Sequence, residues 1–328
     1  MSLVKPATKT GKIYNNPIPT RQMTESVMSL LMKSLFSKEE RVPKVAPGPF
    51  STDTSIYKVA PKSGLRITWI GHSSLIIEID GKRILTDPVW GPRASFSKYV
   101  GPKRFFYPPL PLKELPPIDL IILSHDHYDH LDYPTIKQLT KINTPIFCSI
   151  GVGGIIEKWG IQKSRISEMD WTTCLSFGSG FTVTATPARH FSGRGLINRH
   201  TTLWSSFVIK GPQHKVFFGA DSGYFPGFKD IGDEFGPFDL TMLEIGASGT
   251  GWPDIHMGPT NAAQAHLDLG GKIMMPIHWG TFNLAFHAWR EPIQTLQAVA
   301  AKKDIALFMP KPGTPTEVVG MHNSAWWE

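Results

Sequence analysis

Residues Ile118 to Leu123, with Asp119 the one polar member, form an apolar run of the kind buried on both faces of a sheet. The run empties directly into SHDHYDHLD, residues 124–132, which sets three imidazoles and three carboxylates within eight positions. A hydrophobic strand gains nothing from ending in so much polarity unless that polarity binds something, because desolvating unpaired polar groups is costly. The competing account is an exposed polar turn, and the adjoining buried strand argues against it. Borderline-soft divalent metals take imidazole nitrogen and carboxylate oxygen. In an extended segment His125 and His127 point to the same side and can reach one ion. Asp129 and His130 follow in the turn, displaced enough to serve a second.

The surrounding chain reads as a large mixed α/β unit. At 328 residues and 41% hydrophobic content it can bury a substantial core. Strands are expected at Leu65–Ile70, Leu75–Ile79, Arg83–Leu85, Pro145–Cys148 and Phe181–Thr186. Further strands are expected at Ser206–Ile209, Val216–Ala220, Leu240–Leu243 and Ile273–Ile277. Asp80-Gly81 is a type I′ hairpin signal. Helices are expected at Pro134–Thr140, Gly154–Trp159, Asn261–Leu269 (Thr260 as N-cap) and Pro292–Lys302.

Two cysteines, Cys148 and Cys174, cannot make a disulfide framework or a C-x-x-C metal knuckle. No window of 18 apolar residues could span a membrane, and the first residues lack the apolar core of a secretory signal, so a cytoplasmic address is expected. The net charge of +7 is localised. Residues 1–66 hold eleven Lys/Arg and four acids, and the remainder carries 23 of each sign (34 less 11, 27 less 4). A neutral body with a basic leader argues against nucleic acid as a partner. The chain accordingly divides into a basic extension, 1–63, and a main domain, 64–328. Within the extension, Val27, Met28, Leu30, Leu31, Met32, Leu35 and Phe36 recur at helical spacing between Thr24 and Ser37. Such a helix must lie on the body, on a second copy in a homodimer, or on the inner face of a membrane as a peripheral contact.

Three more donors follow strand-like segments: His190, Asp221 and His278. The pattern His-x-His-x-Asp-His, followed at a distance by His, Asp and His, resembles the metallo-β-lactamase superfamily. The stretches TWIGHSSLIIEIDGKRILTDPVWGPRAS (68–95), LPPIDLIILSHDHYDHLDY (115–133), FFGADSGYFPGF (217–228) and IHWGTF (277–282) narrow the likeness. They are similar to the N-acyl-phosphatidylethanolamine-hydrolysing phospholipase D branch, as are GPKRF (101–105), FGPFDL (235–240) and YNNPIPT (14–20). The likeness runs from about residue 13 to 310, with a departure at Ala247–Ile255.

What the resemblance implies is a four-layer αββα sandwich with two metal ions at one edge. His125, His127 and His190 would hold the first ion, Asp129, His130 and His278 the second, and Asp221 would bridge them. Zinc is the expected metal, although manganese and iron accept the same donors. Two such ions lower the pKa of water from about 15.7 to about 7, so a hydroxide between them can attack a phosphodiester with no Ser or Cys nucleophile. Asp126, inside the motif but no ligand by pattern, is the candidate proton carrier. Asp87 and Asp132 are candidates to orient the ligand imidazoles, and His72 and His256 to touch the substrate. A carboxylate at Asp221, where β-lactam-cleaving relatives with a Cys ligand have sulfur, argues against β-lactamase activity. The expected substrate is a phospholipid or other small phosphodiester. A lactonase or other ester hydrolase on the same fold is the alternative, since the metal centre alone does not choose phosphorus over carbon. A metal-containing lipid-binding or regulatory module would be expected to lack a ligand, and none is missing.

Overall fold

The computed structural model describes residues 2–195 and 198–328, and for Val27, Leu30, Leu31, Ser34 and Leu35 it describes the backbone alone. The chain opens with a ribbon, β1 (Lys9–Thr10) and β2 (Ile13–Tyr14), followed by helix α1 (Val27–Phe36). The first sheet is built from β3 (Leu65–Gly71), β4 (Ser74–Ile79), β5 (Lys82–Thr86), β6 (Leu120–Leu123), β7 (Ile146–Ser149) and β8 (Ile166–Met169). The second comprises β9 (Cys174–Gly178), β10 (Phe181–Thr186), β11 (Ser206–Lys210), β12 (Lys215–Phe218), β13 (Leu240–Glu244), β14 (Ile273–Ile277) and β15 (Ala306–Leu307). A short β16 (Thr316–Glu317) returns to pair with β3, giving two seven-stranded sheets among the described residues. Each sheet is antiparallel in one half and parallel in the other: β5 to β8 in the first, β12 to β15 in the second.

Side-chain alternation produces the layers. Leu65, Ile67, Leu75, Ile77, Leu120 and Ile122 face the second sheet's Val183, Phe207, Ile209 and Phe217 in one core. Their neighbours Ile76, Leu85, Ile121 and Leu123 face outward onto α2 (Tyr133–Leu139) and α3 (Val152–Lys158) through Ile136, Leu139, Val152 and Ile156. The outer face of the second sheet is covered by α4 (Gly227–Phe235), α5 (Gly258–Asp268) and α6 (Glu291–Lys303). This is the expected αββα sandwich.

The Asp80-Gly81 turn takes φ values of +49° and +87°, as a type I′ hairpin requires. Sequence reasoning missed β8, β9 and α4. β9 is an edge strand alternating between exposed and half-buried residues, so it carries little hydrophobic signal. Helix α5 starts at Gly258 rather than after Thr260, since Pro259 presets the first-turn dihedral.

The N-terminal segment follows the body closely. Leu3 donates its N–H to Asp230 (2.7 Å), Ala7 to Asp170 (3.0 Å) and Tyr14 to the His200 carbonyl (2.8 Å). Met28, Met32 and Phe36 on α1 are exposed. The side chains of Val27, Leu30, Leu31 and Leu35, assigned above to the same apolar face, lie outside the described residues. No helix among the described residues is long and apolar enough to cross a membrane.

Candidate metal centre

Parallel strands place their carboxyl ends on one edge, where ligand sites form in open α/β sheets. Here β5 delivers Asp87, β6 delivers His125 to His130, β12 leads to Asp221, and β14 leads to His278. The antiparallel halves add His72, from the β3–β4 turn, and His190, beyond β10. The backbone is strained where these residues leave the sheet: His72, Asp87, Ala220 and His278 all have positive φ, between +34° and +62°. Such conformations cost roughly 1–3 kcal/mol each and persist where surrounding structure enforces them, often at functional sites.

Three overlapping groups of donors result among the described residues, one of them Asp221, Glu244, His256 and His278. His125, His127, His190 and Asp221 form a second, with ligand atoms all within 4.8 Å of one another. His127 Nδ1 lies 3.0 Å from His125 Nε2 and 3.2 Å from His190 Nε2. A further group is His72, Asp129, His130 and His278. Asp221 Oδ2 joins them, at 3.1 Å from His130 Nε2, 3.2 Å from His278 Nε2, 3.7 Å from His190 Nε2 and 3.8 Å from His125 Nε2.

These donors fit metal ions. Burial, reinforced by neighbouring imidazoles, holds His125 and His190 well below the usual imidazole range, and burial takes His127 down to about 4. Three neutral imidazoles thus converge their ring nitrogens, which is the metal-binding form. Burial also opposes charge on His278, but Asp221 and Asp129 outweigh it and raise that ring to about 10. His130 Nε2, His278 Nε2 and Asp221 Oδ1 are buried and make no hydrogen bond among the described residues. Convergent buried polar atoms without hydrogen-bond partners call for a cation.

Neighbouring side chains hold the rings. Buried Asp87 accepts from His130 Nδ1 (2.8 Å), Ser124 N–H (2.8 Å) and Ser124 Oγ (2.6 Å), leaving His130 Nε2 for the cluster. Ser124 Oγ also meets His125 Nδ1 at 2.9 Å. His72 reaches Asp129 Oδ2 at 2.8 Å through Nε2 and lies against His278, with ring centroids 3.8 Å apart. Burial drives the His72 ring down to about 3. His72 therefore belongs to the donor cluster rather than to its periphery. His256 overlies the site, 5.0 Å from the His190 ring centroid and 5.3 Å from that of His278. Its Nδ1 is held at 2.6 Å by Glu244 Oε2.

Two candidates fall elsewhere. Asp132 caps α2, accepting from Thr135 N–H (3.2 Å) and Gly91 N–H (3.0 Å), and among the described residues it meets no ligand imidazole. Asp126 points away from the donor groups: its Oδ1 accepts from Gly193 N–H (2.7 Å). The alternation that unites His125 and His127 turns the residue between them to the opposite face. Sequence reasoning also missed Ser124 and Glu244. Glu244 is fully buried and accepts from Ser222 N–H (3.0 Å) and Met257 N–H (3.2 Å). Its signal is a lone carboxylate ending the mostly apolar strand LTML. The Ala247–Ile255 departure forms one wall of a cleft of about 560 Å³, lined by Lys33, Gly249, Thr250, His256, Phe286 and His287.

Residues 82–279 match the family model of the beta-lactamase superfamily domain. An uncharacterised protein of Mycobacterium tuberculosis is 42% identical to this chain, covering 98% of it and 87% of the relative. The N-acyl-phosphatidylethanolamine-hydrolyzing phospholipase D 1 of Caenorhabditis elegans is 36% identical over 232 residues, 67% of this chain and 65% of the worm protein. Among solved structures, a metallo hydrolase from the archaeon Ignicoccus hospitalis shares the fold, with a TM-score of 0.58 at 21% identity, over 77% of this chain and 97% of that one.

Proposed function

Because this chain belongs to the metallo-β-lactamase superfamily of metal-dependent hydrolases, we propose that it is a two-zinc phosphodiesterase that cleaves N-acyl phospholipids in the manner of a phospholipase D. The observation that carries the two-ion reading is Asp221 Oδ2, within 3.8 Å of ring nitrogens from both histidine groups. The worm relative supports the phosphodiester reading. Two bound zinc ions would supply ionised water at neutral pH and neutralise charge developing on the phosphoryl oxygens.

The chain's own residues do the rest. Asp87 and Ser124 fix which nitrogens of His130 and His125 face the cluster. Glu244 accepts from His256 Nδ1, so when the ring takes up a second proton, at Nε2, that N–H can donate to a phosphoryl oxygen or protonate the leaving alkoxide. The cleft lined by Thr250, Phe286 and His287 receives the substrate, and its low-dielectric walls strengthen each polar contact. Helix α1 borders this cleft through Lys33 and exposes Met28, Met32 and Phe36 on a segment holding the chain's excess positive charge. An apolar helical face with basic neighbours suits docking on an anionic lipid surface from which substrate is drawn.

The zinc-loaded protein should be assayed side by side on N-acyl-phosphatidylethanolamine vesicles, a soluble bis-aryl phosphodiester and a lactone. Hydrolysis of both phosphodiesters with little lactone turnover is expected. Preference for the lactone would overturn the phosphodiester reading in favour of an ester hydrolase.

A further inference from the structure

The ligand histidines are not all supported in the same way. His125 and His130 lean on Ser124 and Asp87, both buried at the ends of sheet strands. His190 lies four residues beyond the end of β10, and among the described residues no carboxylate holds its Nδ1. Its Nδ1–H instead donates to the Ile255 carbonyl at 2.8 Å, which leaves Nε2 unprotonated toward His127 and Asp221.

Its backbone is gripped from the other end of the chain. Asn16 Nδ2 donates to the His190 carbonyl (2.7 Å), and Asn16 Oδ1 accepts from the His190 N–H (2.9 Å). One side-chain amide satisfies both backbone groups of one residue, as a neighbouring β-strand would. The amide orientation is not arbitrary, because the His190 N–H needs an oxygen opposite it. Around this pair three segments are knitted together. Asp254 accepts from Arg21 N–H (2.8 Å), Arg21 Nε (3.1 Å) and Arg189 (2.9 Å). Arg189 also donates to the Pro19 carbonyl (2.8 Å) and to Thr20 Oγ1 (3.1 Å). The packing leaves no slack: a Cβ on Gly223 would lie 1.8 Å from the Asp254 carbonyl oxygen.

We infer that Asn16 is a positioning residue of the metal centre, and that residues 16–21 complete the site of the ion held by His125, His127 and His190. The arm sets the backbone of His190, a ligand that lies beyond the end of its strand. This rests on the two-ion reading above. It also means that deleting residues 1–40 removes a ligand support together with α1, so such a truncation does not isolate a lipid-docking role.

The test is zinc affinity, measured on the full chain by competition with a chromogenic chelator. Wild type should bind two ions. Asn16→Ala should weaken one of them about 10–100-fold, the usual effect of losing an outer support, and leave the other unchanged. In the cobalt-loaded protein, part of the visible ligand-field spectrum should change. Asn15→Ala is the control: Asn15 is the adjacent residue, and among the described residues its side-chain amide reaches only Thr8 and Thr10, in and beside the exposed ribbon. It should bind both ions as wild type does. If Asn16→Ala does not fold, Asn16→Asp keeps the size and the acceptor while losing the donor, and it must show the same one-ion loss. Wild-type affinity for both ions in the folded variant overturns the Asn16 role alone. A wild type that binds no zinc overturns the two-ion reading and this inference with it.

Discussion

His130 and His190 are both ligand candidates, yet they are anchored in opposite styles. His130 follows a central parallel strand, and Asp87, its partner, terminates the adjacent strand β5 in the same sheet. His190 sits in a loop between two surface segments, with partners 174 and 65 residues away in sequence. One half of the proposed centre is thus an extension of the core, and the other is an assembly of peripheral pieces. The contrast separates a half held by strand ends from a half held by packed chain segments, the two sharing a carboxylate, with His256, on the wall of the cleft, standing against both His190 and His278.

The largest expected effect belongs to the shared residue. Asp221→Ala should weaken both ions and cut turnover by more than the roughly 10–100-fold typical of an outer-support change. Loss of one ion with the other unaffected would show that Asp221 serves one half alone. Asp87→Asn comes next. It should cost about 10–100-fold in affinity for the ion held by His130 and also lower the melting temperature, since Asp87 is buried and accepts from Ser124 as well. Asn16→Ala should weaken metal with a smaller change in melting temperature, because its segment lies nearer the surface. Equal thermal losses in the two variants would break the distinction between core-held and arm-held ligands.

The smallest effect is one of pH. Burial alone would raise the Asp254 pKa, but hydrogen bonds from Arg21 and the charge of Arg189 outweigh it and hold the carboxyl below the usual range. A carboxyl whose folded pKa is depressed contributes stability above its unfolded pKa of about 3.9 and loses it as the pH falls through the folded value. The difference in melting temperature between wild type and Asp254→Asn should therefore be constant above about pH 5 and shrink below about pH 4. A difference that persists undiminished in acid would mean that the Arg21–Asp254 contact does not secure the arm.

The same contrast explains what the amino-acid sequence disclosed. The core-held half was legible because its determinants are local: nine consecutive residues, 124–132, follow a strand whose apolar run announces burial. The strands and helices were legible from their apolar runs and turn signals, whereas the αββα layering came from the resemblance. His190, Asp221 and His278 were singled out because each follows a strand, and only the family pattern joined them to the motif. Asp126 could have been set aside from the alternation that grouped His125 with His127. Glu244 left a trace as a charged residue closing a buried strand. Asn16 stood within the family-like stretch YNNPIPT (14–20), but nothing tied it to the metal centre, since an asparagine in a Pro-rich segment reads as a turn residue until the chain brings it against His190.

The central claim is that two ions flank Asp221, and anomalous scattering measured at the zinc edge from crystals of the zinc-loaded protein addresses it directly. The account predicts two peaks about 3.5–4 Å apart, the usual spacing of two-metal hydrolases. One should lie against His125, His127 and His190, the other against Asp129, His130 and His278, with the Asp221 carboxylate between them. A single peak, or a second one away from Asp221, would contradict it.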